Sequence, residues 1–298
     1  MSNDSEKMLK DVYDMHVHTA PDVMQRSIDD IDLARMMKKK GMGGFVIKSH
    51  HSTSYGRATL VRKVVPGVNV FGGIALNNPM GGLNPQAVDT AGRMGAKIIW
   101  MPTVDSDNEK GKFLDTTNKK LPYWATIQRE LYEKGMLRKP VSVKDEDGKL
   151  KEEVDEILEL ISQYNMILAT GHLSPLDSID VIKRAVEKHV DRIVITHPEF
   201  PTTMFSLEQQ QQLAKYNVYF ERCYTTPATG KVEWSYLLEE VKKTGPERNV
   251  LSTDLGQPSA LLPPEGYKKF IDFFIESGIP EDSIVKMTSE NQKKLLLE

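Results

Sequence analysis

The chain reads as an α/β protein, a (β/α)8 TIM barrel with an insertion after strand 4. Three observations predict it. Eight short apolar runs recur along the 298 residues. They lack the polar alternation of a half-exposed strand, as parallel strands covered on both faces must. Between them lie longer segments with apolar residues at helical spacing. Strand–helix units in series imply parallel strands joined by right-handed crossovers, and eight is the number that closes a ring. The same alternation also permits an open doubly wound sheet. A length sufficient for a barrel of ~250 residues favours the closed form.

Taken in order, the strands are expected at 12–17, 44–48, 68–75, 97–101, 166–170, 192–196, 218–221 and 249–252. The helices are expected at 28–40, 56–64, 85–94, 152–163, 175–189, 206–215, 231–243 and 264–277. Ser174-Pro175 has the composition of a helix start, and Gly41 and Gly278 that of helix ends. The run Gln209–Gln212 fits an exposed helix face, and "MTSENQKKLLLE" fits a closing helix.

One segment breaks the rhythm. Residues 105–151 far exceed the ~2–6 residues of an ordinary strand-to-helix connection. They contain "LPYWATIQRELYEKG", a helical pattern, and "SVKDEDGKL", where Asp147-Gly148 sits as a hairpin turn would. We expect one domain over 1–298, with a lid or subdomain at about 105–150 above the end of the fourth strand. An oligomerisation insert, and so a homo-oligomer, is the alternative.

Bulk composition narrows the partners. A net charge of -3 offers no basic surface for nucleic acid or an anionic membrane. No run approaches the ~18 apolar residues of a membrane span, and "MSNDSEKMLKD" lacks a signal peptide's apolar core. A single cysteine, Cys223, excludes an internal disulfide framework and suits a reducing compartment. These features predict a soluble, cytoplasmic protein with a small-molecule substrate.

The histidines carry the chemistry. In "DMHVHTAPD", His16 and His18 stand at i and i+2, on one face of a strand end, and Asp14 shares their parity and is placed to orient an imidazole from below. "TGHLSP" places His172 just after the fifth strand and "ITHPEF" places His197 just after the sixth. "LSTDLG" places Asp254 after the eighth, and "IKSHHS" places Lys48, His50 and His51 at the end of the second. Six of the seven histidines thus follow strands on the face where such barrels build their sites. His189 alone ends a helix, where a cation suits the dipole. Neutral imidazoles gathered with a carboxylate are ligands for Zn²⁺, Mn²⁺ or Fe²⁺. Of the adjacent pair His50 and His51, parity with Lys48 turns only His50 to the mouth.

With H-x-H after the first strand, His after the fifth and sixth and Asp after the eighth, the chain resembles the amidohydrolase superfamily of metal-dependent barrels. The likeness spans nearly the whole chain and is nearest to an uncharacterised branch carrying "HVHTAPD" and "TGHLSP". It implies that His16, His18 and Asp254 hold a buried divalent metal, most simply zinc. It implies that His172 and His197 hold a second ion or orient water and substrate. Two-metal members use a bridging Lys or Glu from strand four, but here that strand ends "IIWMPTVDS". Lys48, if carboxylated, or His50 are substitutes; Lys48 otherwise reads as a cation paired with Asp14 or another acid of the mouth.

The implied reaction is hydrolysis of an amide, lactone or related ester. Asp254 would carry the proton, and His197 or His172 would help to polarise the substrate oxygen. Arg26, Arg222 and Asn77 are candidate substrate contacts. The alternatives are a PHP-type phosphoesterase, a single-metal decarboxylase and a catalytically silent metal-binding barrel. The phosphoesterase pattern ends in D-x-H, whereas here Asp254 is followed by Leu255 and Gly256.

Overall fold

A computed structural model describes residues 4–114 and 122–298. It contains eight strands: Tyr13–Val17 (β1), Gly44–Ile47 (β2), Asn69–Ala75 (β3), Ile98–Trp100 (β4), Ile167–Ala169 (β5), Ile193–Thr196 (β6), Val218–Cys223 (β7) and Asn249–Ser252 (β8). They pair in parallel in the order β1 to β8, each with its sequence neighbour. The ring is closed by backbone bonds of 2.8 Å from His18 N–H to the Leu255 carbonyl and from Asp254 N–H to the His16 carbonyl. This is the expected barrel, not the open sheet.

Helices fill the intervals: Asp4–Met8 (α1), Asp30–Lys39 (α2), Tyr55–Val64 (α3), Pro85–Arg93 (α4), Ala125–Glu133 (α5), Glu152–Gln163 (α6), Pro175–Glu187 (α7), Leu207–Leu213 (α8), Thr225–Ala228 (α9), Trp234–Thr244 (α10), Pro263–Glu276 (α11), Glu281–Val285 (α12) and Asn291–Leu297 (α13). Their starts follow local chemistry. Ser174 caps α7 by accepting from Asp177 N–H, with Pro175 in the first turn. Ser206 and Gln209 form a reciprocal capping box on α8. Gly41 and Gly278 follow α2 and α11 at φ 72° and 73°, a conformation that favours glycine.

Strand parity divides the core. Val46, Ile98, Trp100, Ile167, Ala169, Val194, Tyr219 and Val250 point inward and fill the barrel. Leu295 and Leu296 of α13 pack against this cluster and close the end opposite the rim. The Asn291 amide fixes that helix by donating to the carbonyls of Pro246 and Asn249 at 2.8 and 2.7 Å. Outward residues such as Phe45, Ile99, Leu168, Ile195 and Phe220 pack beneath the helices. With the barrel filled to this level, only its rim is left for a site.

The long segment after β4 holds α5, and Asp147-Gly148 lies in an antiparallel turn with Lys144 opposite Leu150. Leu121, the first residue of the expected helix, lies outside the described residues; the helix itself begins at Ala125. No described helix is long and apolar enough to cross a membrane.

Candidate metal centre

The seam between β1 and β8 builds the centre. Because His16 and His18 exchange backbone bonds with Asp254 and Leu255, their side chains meet above the join. Asp254 Oδ1 lies 3.2 Å from His16 Nε2 and 3.1 Å from His18 Nε2. Asp254 has φ 54° and His197 has φ 28°, both left-handed. Such values in non-glycine residues store strain that surrounding structure must hold in place. Gly256 makes the seam possible: at φ 138°, a Cβ there would lie 1.7 Å from the His18 carbonyl oxygen.

Five imidazoles form a closed circuit around the rim. Ring centroids are 5.3 Å apart for His16–His18, 5.0 Å for His18–His50 and 5.7 Å for His50–His172. The circuit returns through His172–His197 at 5.0 Å and His197–His16 at 6.1 Å. All five residues are buried. His51, as parity requires, stays out of the cavity wall.

Each ring meets a polar group at Nδ1, although for His172 the contact falls short of hydrogen-bond geometry. His16 Nδ1 lies 3.1 Å from Glu221 Oε2, and Glu221 in turn accepts from Ser252. His172 Nδ1 lies 3.4 Å from Glu109 Oε1, a loose contact, while Glu109 accepts from Thr202 at 2.5 Å. His197 Nδ1 faces Thr203 Oγ1 at 3.3 Å, and that hydroxyl donates to the His197 carbonyl. His50 Nδ1 faces Thr103 Oγ1 at 2.9 Å. His18 Nδ1 is 3.4 Å from the Arg26 guanidinium. A carboxylate partner of this kind fixes the ring and leaves the other nitrogen for a ligand, whereas the guanidinium at His18 can only donate to Nδ1.

The electrostatics match. Burial and Lys48 oppose protonation of His16, yet Asp254 and Glu221 hold it above its ordinary value. Burial, then Arg26, pushes His18 down to about 3. Burial also takes His50 and His197 far below the usual range and lowers His172. Burial resists ionisation of Asp254, but His16 and His18 outweigh it and hold the carboxyl well below the carboxylate range.

A metal fits this donor set. One ligand atom from each of His16, His18 and Asp254 lies within 4.8 Å of the others, and His16 Nε2 is buried without a hydrogen-bond partner. An orphaned imidazole nitrogen costs about 1–3 kcal/mol unless something accepts its lone pair. Glu221 and Cys223 form a second donor group on the other nitrogen of His16. No carboxylate on β4 bridges the rim: Trp100 points inward there, its ring 5.8 Å from the Lys48 ammonium.

A cavity of about 720 Å³ opens above. Its wall includes His18, His50, His172, His197, Lys48 and Asp254, with Arg26 and Lys231 and the apolar Met24, Trp124, Phe200, Tyr224 and Leu261. Lys48 is fully buried and has no ion-pair partner among the described residues, so it does not pair with Asp14. Burial lowers its affinity for a proton.

Three expectations need correction. Arg222 is not in the cavity: β7 parity turns Glu221 and Cys223 inward and Arg222 outward. There it is sealed against Glu199, Glu240, Gln210 and Asn249 at 2.7–3.2 Å. Asn77 is also sealed and bonds only main chain and Thr103. Asp14 orients no imidazole. It accepts from the backbone N–H groups of His16 and Thr253 at 3.2 and 3.0 Å, clamping the seam from below.

Sequence reasoning missed Glu109 and Glu221. Glu221 was within reach, since it shares the strand-end position of the other site residues. Glu109 comes from the long segment after β4, where no periodicity marks it.

The sequence pattern of a family of unknown function (DUF6282) matches residues 11–221. No curated protein matches the chain. Among solved structures, an amidohydrolase from Pseudomonas aeruginosa is 11% identical and superimposes with a TM-score of 0.64, covering 99% of this chain and 98% of that one. An organophosphorus hydrolase from Deinococcus radiodurans is 12% identical with a TM-score of 0.60, over 98% and 93%. An enamidase of the amidohydrolase superfamily is 14% identical with a TM-score of 0.56, over 96% and 67%. At these identities the likeness is one of fold: the chain shares the β/α barrel of these structures.

Proposed function

The chain belongs to DUF6282, a family of unknown function, and from the geometry of its rim we propose that it is a metal-dependent hydrolase of the amidohydrolase type. The observation that carries this reading is the convergence of His16, His18 and Asp254, with one ligand atom of each within 4.8 Å of the others and the His16 Nε2 buried and making no hydrogen bond. These three residues would hold a divalent ion, with zinc suited to an imidazole-rich set and manganese or iron the alternatives. The two donor groups found share His16, which favours one resident ion. Such an ion acts as a Lewis acid and lowers the pKa of the water it binds toward ~7.

The chain's own groups supply the rest. Asp254 is held ionised, so in the resting site it accepts a proton and does not donate one. It takes the proton that the attacking water gives up and returns it to the leaving group. His172 and His197 face the cavity beside it and orient the water and the substrate oxygen. Lys48 lines the cavity with no ion-pair partner among the described residues, whereas Arg26 is held by Asp22 at 2.7 Å. A buried cation of this kind favours a substrate with an acidic group, and Lys48 is the anchor for it. Met24, Trp124, Phe200, Tyr224 and Leu261 accept an apolar body. The scissile bond is an amide, a lactone or a related ester. The segment at about 105–150 serves as a lid, since its Tyr123 and Trp124 wall the cavity.

The test is metal analysis after zinc-supplemented expression, with a panel of carboxylate-bearing amides and lactones. Near-stoichiometric zinc is expected, lost in His16→Ala, with turnover abolished in Asp254→Asn. Protein that takes up no metal, or undiminished turnover in Asp254→Asn, overturns the reading.

A further inference from the structure

His50 meets a hydroxyl that is itself fixed by a third residue, and that chain decides which ring nitrogen carries hydrogen. It starts at Asn77. The Asn77 carbonyl oxygen accepts from the backbone N–H groups of Thr103 and Asp105 at 2.8 and 3.3 Å, and its amide nitrogen donates to the His50 carbonyl at 2.8 Å. A flipped amide would set N–H against N–H and oxygen against oxygen, so main chain alone fixes its orientation. The remaining N–H of Asn77 therefore donates to Thr103 Oγ1, at 2.6 Å.

Thr103 has no exposed surface, and its hydroxyl proton needs an acceptor. The other partner of its oxygen is His50 Nδ1 at 2.9 Å. Were Nδ1 also a donor, Thr103 would accept twice and its buried O–H would be orphaned, at a cost of about 1–3 kcal/mol. The arrangement with every group satisfied has Thr103 O–H donating to Nδ1, which places the hydrogen of a neutral His50 on Nε2.

His172 is set the other way. A carboxylate only accepts, so Glu109 calls for hydrogen on Nδ1 and leaves Nε2 with its lone pair. His16 faces a carboxylate at each nitrogen, Glu221 at Nδ1 and Asp254 at Nε2. Thr203 spends its proton on the His197 carbonyl, so His197 follows the pattern of His172.

We propose that His50 is not a metal ligand but an N–H donor, turned into the cavity by the Asn77–Thr103 relay to hold an oxygen atom of the substrate. It lines the cavity, and its Nε2 makes no hydrogen bond among the described residues. A fixed donor beside a cation site is the arrangement that stabilises charge developing on a carbonyl or carboxylate oxygen. The role in substrate binding rests on the hydrolase reading above; the tautomer does not.

Long-range proton–nitrogen correlation spectra of ¹⁵N-histidine-labelled protein test this, with His50→Gln used to assign its signals. In zinc-free protein His50 is expected as the Nε2–H form, and His172 as Nδ1–H. Thr103→Val should shift His50 toward Nδ1–H while Thr103→Ser preserves the pattern. The Thr103→Ser and wild-type spectra suffice if the valine variant does not fold. His50→Gln should bind as much zinc as wild type, and inorganic phosphate added to zinc-loaded protein should move the His50 Nε2 signal. An Nδ1–H form in wild type, zinc lost in His50→Gln, or an Nε2 signal indifferent to phosphate overturns the proposal. Failure to take up zinc with the His50 tautomer intact would instead sink the metal reading alone.

Discussion

The main-chain N–H of Asp254 donates to the carbonyl of His16 at 2.8 Å, so one hydrogen bond both closes the barrel and seats two candidate ligands together. Gly256 permits that approach, because a Cβ there would fall 1.7 Å from the His18 carbonyl oxygen. Gly256→Ala is therefore expected to destabilise the fold by about 3 kcal/mol or more. Urea unfolding reads this directly, and an unchanged midpoint would show that the seam adapts.

Glu109 is buried, and despite that burial His172 holds its carboxyl below the usual value. Glu109→Gln removes the carboxylate charge that faces the His172 ring. Loss of such a partner typically costs about 10- to 100-fold in metal affinity or activity, and here it falls on activity, because His172 orients water and substrate. Turnover should drop in this variant with zinc affinity and unfolding midpoint little changed. Unchanged turnover, or a loss of zinc, would contradict that role.

Arg222 has moved from a candidate substrate clamp to a structural cation. Its guanidinium bridges Glu199 and Glu240 at 3.2 and 2.7 Å, with all three side chains sealed from water. Arg222→Leu leaves two buried carboxylates without their cation and is expected to cost about 3–5 kcal/mol. Adding Glu199→Gln and Glu240→Gln should recover part of that loss. A fully stable Arg222→Leu protein would contradict the assignment.

At the start of β4, burial and then Arg192 lower the Lys97 pKa from 10.5 to about 8. Between those two values the unfolded chain keeps a proton that the folded chain has released. The Lys97 contribution to stability therefore rises with pH across that window and is unfavourable below it. Lys97→Met should be the more stable protein at pH 7, by roughly 1 kcal/mol once partial exposure is discounted, with the gap closing by pH 10. Denaturant midpoints at the two pH values test the sign.

The barrel was legible because most strands are apolar on both faces and some helices carry their own start signals, as Ser174-Pro175 shows. The candidate ligands were legible because position relative to a strand end is a local property: His16, His18, His172, His197 and Asp254 needed only their strands located. What lay one contact further out was not. Parity along β7 could have separated Glu221 from Arg222, but the strand's length beyond Glu221 was underestimated. Glu109 and Thr203 are positioned by loops whose paths no periodicity records. Asn77 was chosen for its polarity after β3, and only its sealed surroundings show that it serves Thr103 and not a ligand.

The contact between Glu109 and His172 has a wider implication. Barrels of this kind are commonly treated as sockets, with each loop exchangeable while the others stay tuned. Here the long excursion after β4 supplies the group that aims an imidazole belonging to β5. Grafting a shorter turn in its place would leave that imidazole on its strand but unaimed, so refitting this scaffold for another task has to carry both pieces across together.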